Sequence, residues 1–390
     1  TVKMFEKHIQ MVDLQGQYHR LKEEIDAAMQ AVIESSAFIN GPQVKAFSDH
    51  LAEYLDIPHV IPCGNGTDAL QIALMALGLQ SGDEVIVPAF TYVAAAEVIA
   101  LLGLTPVLVD VDPHTYNIDP RKIEESISRN TKAIIAVHLF GQSCDMDPIL
   151  KIAAMYHLYV VEDNAQSIGA EYTFPDGRVK KTGTMGIIGT TSFFPSKPLA
   201  CYGDGGALTT SDENLAKRIR MIANHGQERK YHHQLIGCNS RLDTLQAAVL
   251  DVKLKHIDEF TASRQAVAAR YDEALASCEQ LLLPRKSAFS THVYHQYTVR
   301  LKPAGDVADT AKYRESLQAS LKEKGIPTMV YYPLPLQAQE AYKWMARTPG
   351  AMDEAARLST SVLSLPIHTE MTEEEQEYII DTLLKEITHI

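Results

Sequence analysis

Cysteine is sparse in this sequence: five residues in 390, Cys63, Cys144, Cys201, Cys238 and Cys278, with no CxxC spacing. An odd, scattered set excludes a disulfide framework or a zinc ribbon and reads as buried thiols of a reducing compartment. Long apolar runs are missing too, and none approaches the roughly 20 residues that a spanning helix needs. The opening TVKMFEKHIQ lacks the basic-then-apolar layout of a secretory signal. Positive charge is short: 36 Lys and Arg stand against 49 Asp and Glu, a net charge of −13, and no basic stripe breaks the pattern. That balance excludes a nucleic-acid surface. The 15 histidines include no HExxH or similar ligand spacing, which speaks against a metal catalyst. The remaining composition, 46 % hydrophobic and 22 % charged, is that of an ordinary globular protein. A chain this long buries enough core to need no disulfide or structural metal, and a cytoplasmic enzyme is the expectation.

The first part of the chain alternates two periods. Leu21, Ile25, Met29, Val32 and Ile33 lie at helical spacing within Tyr18 to Phe38, and Val44, Phe47, Leu51 and Leu55 repeat it. Short apolar runs then recur beside helical stretches: HVIPC (59–63), EVIVP (84–88), PVLVD (106–110), AIIAVH (133–138) and LYVVED (158–163). Continuous apolar runs of this length predict strands covered on both faces, hence a parallel sheet with crossover helices. TTSFF (190–194) and GALTT extend the set. From about Arg241 a long helical pattern runs through Leu245, Ala248, Val249 and Val252 to Ala276. An alternating YHQYTVR (294–300), a helix from Thr310 to Lys324, IPTMVYY (326–332) and a helix over Thr372–Ile387 follow. The expected architecture is a large α/β domain over 1–250, N-terminal helix included, and a smaller C-terminal α+β domain over 251–390.

Three segments suggest chemistry. In CGNGTDAL (63–70) a strand ends, two glycines allow a tight turn and a helix begins at Thr67 or Asp68. A helix N-terminus offers free N–H groups to a phosphate. The same letters satisfy a dinucleotide fingerprint, but the next strand ends VPAFTY without the acid that should hold a ribose. A plain turn with Asp68 as a cap is the alternative. In VVEDNAQS (160–167) an apolar strand runs into Glu162 and Asp163, placing a carboxylate at the carboxyl edge of the sheet. Desolvated there, it calls for a cation or a protonated ring nitrogen, unless it caps the following helix. In TSFFPSKPLACYGDGGAL (191–208) Lys197 follows a buried strand between Pro195 and Pro198. Apolar flanks lower an amine's pKa and make it nucleophilic, as Schiff-base chemistry requires; a surface lysine in a loop is the alternative.

A phosphate cradle, a carboxylate for a ring nitrogen and a desolvated lysine, in this order, are what pyridoxal 5′-phosphate (PLP) asks for. FINGPQV, GNGTDAL, EVIVPAFTYVAAAE, VEDNAQS, SFFPSK, CYGDGGAL and NSRLDTLQAA together resemble the DegT/StrS-type sugar-nucleotide aminotransferases along nearly the whole chain. The resemblance implies the type I fold of PLP enzymes. Lys197 matches the lysine that joins the cofactor and shuttles the proton; a dehydrating branch has His there, so Lys197 implies transamination through pyridoxamine phosphate. Asp163 matches the partner of the pyridinium nitrogen, Gln166 that of the phenolic oxygen, and Tyr92 the aromatic stacked on the ring. Gly66, Thr67 and Ser192 match phosphate ligands. Asn239 matches a residue that reaches the phosphate from the neighbouring subunit, which implies a homodimer with shared sites. Glutamate is the implied amino donor and a nucleotide-linked keto-sugar the acceptor.

HGQERKYHH (225–233), NSRLD (239–243) and SFFPSKP are similar to the branch that aminates C3 of a UDP-linked 2-acetamido-3-keto uronic acid on the way to surface polysaccharide. There Arg241 matches an arginine facing the sugar carboxylate across the dimer, a contact suited to a guanidinium fork. A cap on the next helix or a pair with Asp243 is its bland alternative. Tyr332 is implied at the sugar, and His232 or His233 at the nucleotide, a surface pair being the alternative. Tyr331, Asn164 and Ala200 depart from the usual residues, and none alters Lys197 or Asp163. Amination at C3 or C4 of another UDP- or dTDP-sugar is a second reading. A non-catalytic PLP-binding regulator is a third, against which stands the absence of any appended helix-turn-helix or basic segment.

Overall fold

The computed structural model describes residues 8–302 and 307–389. Its first helix, α1 (Leu14–Ser35), starts where the Asp13 side chain accepts the Gly16 N–H and ends at Ser36 in the left-handed region, φ 55°. Leu21, Ile25 and Val32 form its buried stripe. In α2 (Pro42–Leu55) proline occupies the first turn, where its missing N–H costs nothing, and Phe47, Leu51 and Leu55 repeat every fourth residue on the buried side.

Strands and helices then alternate: β1 (His59–Cys63), α3 (Gly66–Ala76), β2 (Glu84–Pro88), α4 (Ala94–Leu101), β3 (Thr105–Val109), α5 (Pro120–Ile123), β4 (Thr131–Val137), α6 (Met146–Tyr156) and β5 (Tyr159–Asp163). A short hairpin, β6 (Glu171–Thr173) and β7 (Val179–Lys181), precedes β8 (Ile188–Ser192), β9 (Gly206–Thr210) and α7 (Glu213–Ala223). The main sheet has seven strands in the order β1-β9-β8-β5-β4-β2-β3. Only β9 runs against its neighbours; the pairings among β3, β2, β4, β5 and β8 are parallel. The apolar runs read as two-sided strands occupy these positions, within a residue or two at each end. Helices cover both faces, which is why the runs are nearly continuous in Val, Ile, Leu and Ala.

A two-stranded ribbon, β10 (Gln227–Arg229) with β11 (His232–His233), leads to α8 (Thr244–Leu254) and α9 (Ile257–Leu275). The single helical pattern expected over this stretch is thus broken at Lys255–His256. Eight of the eleven residues of α8 are buried, whereas α9 is buried along one stripe. A second core gathers on the antiparallel sheet of β12 (Leu281–Leu282), β13 (Tyr297–Leu301) and, after α10 (Val307–Glu323) and α11 (Asp353–Ser361), β14 (Val362–Leu365), with α12 (Glu373–Glu386) packed over it. Two expectations shift. YHQYTVR enters the ladder only at Tyr297, because Tyr294 adopts φ 48° and Gln296 bonds back to Phe140 O. IPTMVYY forms no strand: Met329 makes one bridge to Ser364, and the segment is apolar because it packs on the first core and walls the main cavity.

The ring of Phe47 in α2 meets that of Phe193 edge-on at 5.4 Å, both without exposure, so α2 supports the chain just beyond β8. Phe47→Ala should lower stability by about 3–5 kcal/mol. Thr372→Ala removes a capping box shared with Glu375 at the start of α12 and should lower it by about 1 kcal/mol. Urea denaturation at matched protein concentration checks both, and equal losses would contradict this assignment of the packing.

Candidate active site

All the parallel strands end on one edge of the main sheet, and the segments leaving that edge enclose a cavity of about 660 Å³. The first segment links β1 to α3. Asn65, not Asp68, caps the helix: its Oδ1 accepts the Asp68 N–H at 2.7 Å, and the Asn65 carbonyl accepts that of Ala69. The N–H groups of Gly66 and Thr67 lie one turn too early for an intrahelical partner, and both residues line the cavity. The approach here is close. A Cβ on Gly66 would sit 2.7 Å from the Ser192 Cβ, and one on Gly206 would sit 2.5 Å from the Asn65 carbonyl. Glycine is required at both positions for the helix end to meet β8 and β9.

Asp163 closes β5. It is 9 % exposed, its Oδ1 accepts the Ala165 N–H at 3.1 Å, and the residues after it form turns instead of a helix to cap. Burial pushes its carboxyl upward; the Ala165 N–H and then the charge of Lys197 act in the other direction. Beside it Glu162, without exposure, accepts from His138 Nε2 at 2.8 Å and from the N–H groups of Gly183, Met185 and Gly186 at 2.8, 2.6 and 2.7 Å. The Cys144 N–H donates to His138 Nδ1, which leaves Nε2 as the protonated nitrogen facing Glu162.

Lys197 lies in the excursion between β8 and β9. The base of that excursion is fixed by the Ser192–Gly206 register, by Phe193 N–H to Gly205 O at 2.8 Å and by Cys201 N–H to Phe193 O at 2.9 Å. Desolvation lowers the Lys197 amine to about 8, with the Asp163 carboxylate opposing the shift. Opposite, Gln166 Oε1 accepts the Phe140 N–H at 2.7 Å, and its Nε2 donates to the Tyr332 hydroxyl at 3.1 Å.

Gly66, Thr67, Tyr92, Asp163, Gln166, Ser192, Lys197 and Tyr332, named from sequence, all line this one cavity. Asn239, Arg241 and His232 do not. Asn239 is exposed beside Asn224; Arg241 is half-buried and makes no ion pair with Asp243 or any other carboxylate among the described residues; His232 is exposed on the β10–β11 ribbon. Tyr331 is in the wall, while Asn164 and Ala200 are buried outside it. The sequence reading missed His295 and Gln296, which the irregular stretch before β13 turns into the cavity. Burial and the nearby charges of Lys197 and Arg264 hold His295 well below the ordinary histidine range, hence neutral, and its Nδ1 is buried without a partner. No local pattern distinguishes that histidine from one on a regular strand.

Comparison with known proteins adds the following. The model of the DegT/DnrJ/EryC1/StrS aminotransferase family matches residues 19–384. A UDP-2-acetamido-2-deoxy-3-oxo-D-glucuronate aminotransferase of Pseudomonas aeruginosa is 49 % identical over 92 % of this chain and 95 % of its own. A pleiotropic regulatory protein of Geobacillus stearothermophilus is 44 % identical over 98 % and 99 %. Among solved structures, NtdA of Bacillus subtilis with bound cofactor PMP superposes with a TM-score of 0.87 at 30 % identity, covering 99 % of this chain and 87 % of that one.

In the cofactor-free protein Lys197 should react with an amine-selective reagent along a titration centred near pH 8, below the ordinary lysine value. Asp163→Asn should move that midpoint lower, since the carboxylate raises it. Labelling followed by peptide mass spectrometry across pH 6–11 measures both shifts, with the range chosen to bracket about 8 and the ordinary lysine value of about 10.4.

Proposed function

Because this chain belongs to the DegT/DnrJ/EryC1/StrS aminotransferase family, we propose that it transfers an amino group from glutamate to C3 of a UDP-linked 2-acetamido-3-keto uronic acid. On this reading it works as a homodimer with shared sites and serves surface polysaccharide. The protein is a PLP-dependent sugar-nucleotide aminotransferase; the particular sugar, the donor, the pairing of subunits and the roles of residues are the proposal. The observation that carries it is the lowered amine of Lys197 facing the buried Asp163 in a cavity whose other end is the α3 N-terminus.

The residues present suit the cofactor. The free N–H groups of Gly66 and Thr67 and the Ser192 hydroxyl would hold the phosphate, at a helix end kept open by Gly66 and Gly206. Asp163 would hold a protonated ring nitrogen, and that cation would lower the penalty of the carboxylate's burial. Gln166 keeps one amide hydrogen beyond the one given to Tyr332, available to a phenolic oxygen. Tyr92, 58 % exposed at the cavity wall, offers a ring face for stacking. When bound, the pyridine ring supplies an electron sink for the carbon that gains or loses the amine.

The chain's own part is proton handling and orientation. With its pKa near 8, about one Lys197 amine in ten is neutral at pH 7, against roughly one in three thousand for an unperturbed lysine. Its amine is therefore suited to act both as a nucleophile and as a base within the cavity. Lys197 is the one lysine or arginine on the described wall. A uronate carboxylate consequently needs a cation from elsewhere, and Arg241 of the partner subunit supplies it on this reading, its guanidinium having no carboxylate partner among the described residues of its own chain. The regulatory name of one relative leaves the reading unchanged, since a desolvated amine beside a buried carboxylate serves turnover and is costly in a protein that only binds.

The test is spectrophotometric and runs in reverse. The protein reconstituted with PLP should lose its visible absorbance when given the 3-amino UDP-uronate, and far less with the uncharged CH₂OH sugar. Arg241→Ala should raise KM for the uronate roughly 10- to 150-fold while leaving the uncharged sugar unaffected, and Lys197→Ala should abolish turnover. Bleaching by neither sugar would redirect the substrate assignment to 4-amino or dTDP-linked compounds.

A further inference from the structure

Ser240 has no part in the site as described, yet it is among the most tightly held polar residues near it. It is 2 % exposed. Its Oγ accepts the Gly64 N–H at 2.8 Å and donates to Asp68 Oδ2 at 2.6 Å, while its own N–H bonds to Ala223 O at 3.0 Å. Gly64 and Asp68 flank Asn65, Gly66 and Thr67, and Asp68 is itself tied to Asn65 through the helix cap. One hydroxyl thus spans both sides of the turn that opens α3. There is no slack in the arrangement: a Cβ on Gly64 would lie 3.1 Å from Asp68 Oδ2 and 3.2 Å from Ser240 Oγ.

The neighbours of Ser240 are Asn239 and Arg241, two of the three sequence-named site residues that stand outside the cavity of their own chain. The rest of their segment is tied to α7 and the residues just after it, through Cys238 N–H to Ile222 O at 2.8 Å, His225 N–H to Cys238 O at 2.9 Å and the bridge between Asn239 and Asn224. Among the described residues, the side-chain hydrogen bonds between this segment and the β1–α3 turn run through Ser240.

We propose that Ser240 is a positioning residue acting across the subunit boundary: it locks the Asn239–Arg241 segment to the N-terminus of α3, so that the phosphate end of one site and the residues serving the partner's site are held as one unit. This rests on the shared-site homodimer of the preceding section. The physical basis is the hydroxyl's double duty, since a buried donor–acceptor that satisfies Gly64 and Asp68 together leaves both unpaired when removed. The ligand groups sensed at the far end are the cofactor phosphate and the carboxylate of the nucleotide sugar.

Mixed dimers separate this from local support of α3. In the first, one chain carries Lys197→Ala and Ser240→Ala and its partner is native; the only working site then has its own α3 turn intact. KM for the 3-amino UDP-uronate should rise roughly three- to tenfold with kcat little changed, and the working site should bind PLP more weakly in a titration of its visible absorbance. Unchanged KM and unchanged cofactor affinity in this dimer would overturn the proposal. A second dimer, with Lys197→Ala on one chain and Ser240→Ala on the other, reports the effect within one chain. A defect confined to that dimer also overturns action across the boundary. A third dimer carries Lys197→Ala and Arg241→Ala on one chain. If KM rises there but not in the first dimer, Ser240 alone is ruled out. If it rises in neither, the shared-site reading falls with it. Ser240→Cys, which keeps the shape with a somewhat larger atom and weakens both bonds, should give an intermediate rise and stands in should the alanine variant fold poorly.

Discussion

A carboxylate without exposed surface, Glu162, organises the sheet edge on which the site is built. Buried ions are tolerated only when paired and fully hydrogen-bonded. Glu162 meets that condition with three backbone N–H groups from 183–186 and the imidazole of His138. Those donors come from the segment leading into β8 and from the residue after β4. The next residue in the chain, Asp163, enters the cavity. Satisfying one charge thus sets the relative positions of three strand ends, and the carboxylate facing the cavity inherits that rigidity without sharing its donors.

The pairing of Asp163 with Lys197 works by the opposite logic. Neither is neutralised by a tight ion pair; each is left partly unsatisfied by burial, and their mutual attraction limits the shift of both. Such sites keep a few kcal/mol of unmet electrostatic demand, which a ligand bearing the complementary groups relieves. A net charge of −13 makes the arrangement of local cations matter more, because among the described residues the cavity wall carries only Lys197.

Sequence disclosed those parts of the protein whose function forces a residue type at a fixed place along the chain. The two-sided strands are legible because burial on both faces demands uninterrupted Val, Ile and Ala, and Gly66 and Gly206 because close approach admits nothing larger. Lys197 and Asp163 stand out as charges adjoining such strands. The path of 293–296 was not legible: Tyr294 takes φ 48° to satisfy contacts with the Phe140–Gly141 turn, more than 150 residues earlier, and this brings His295 into the cavity. IPTMVYY misled for a related reason, since an apolar run walls a cavity as readily as it pairs in a sheet. The break between α8 and α9 is likewise set by what each packs against and leaves no glycine or proline in the chain.

The position of β1 at the end of the main sheet carries a consequence for biosynthesis. Among the described residues it pairs only with β9, with Val60 opposite Thr209 and Cys63 opposite Gly206. Pairings this distant along the chain form slowly, because a long loop must close before any contact rewards it. On the ribosome the first strand therefore waits as an open edge while β2 to β5 emerge and can zip together. The helix end built on it is completed only when the residues after Lys197 have followed. A nascent chain ending before β9 holds most of the sheet and most of the wall, but not a finished cradle, so the capacity to hold an anion at α3 arises late and all at once.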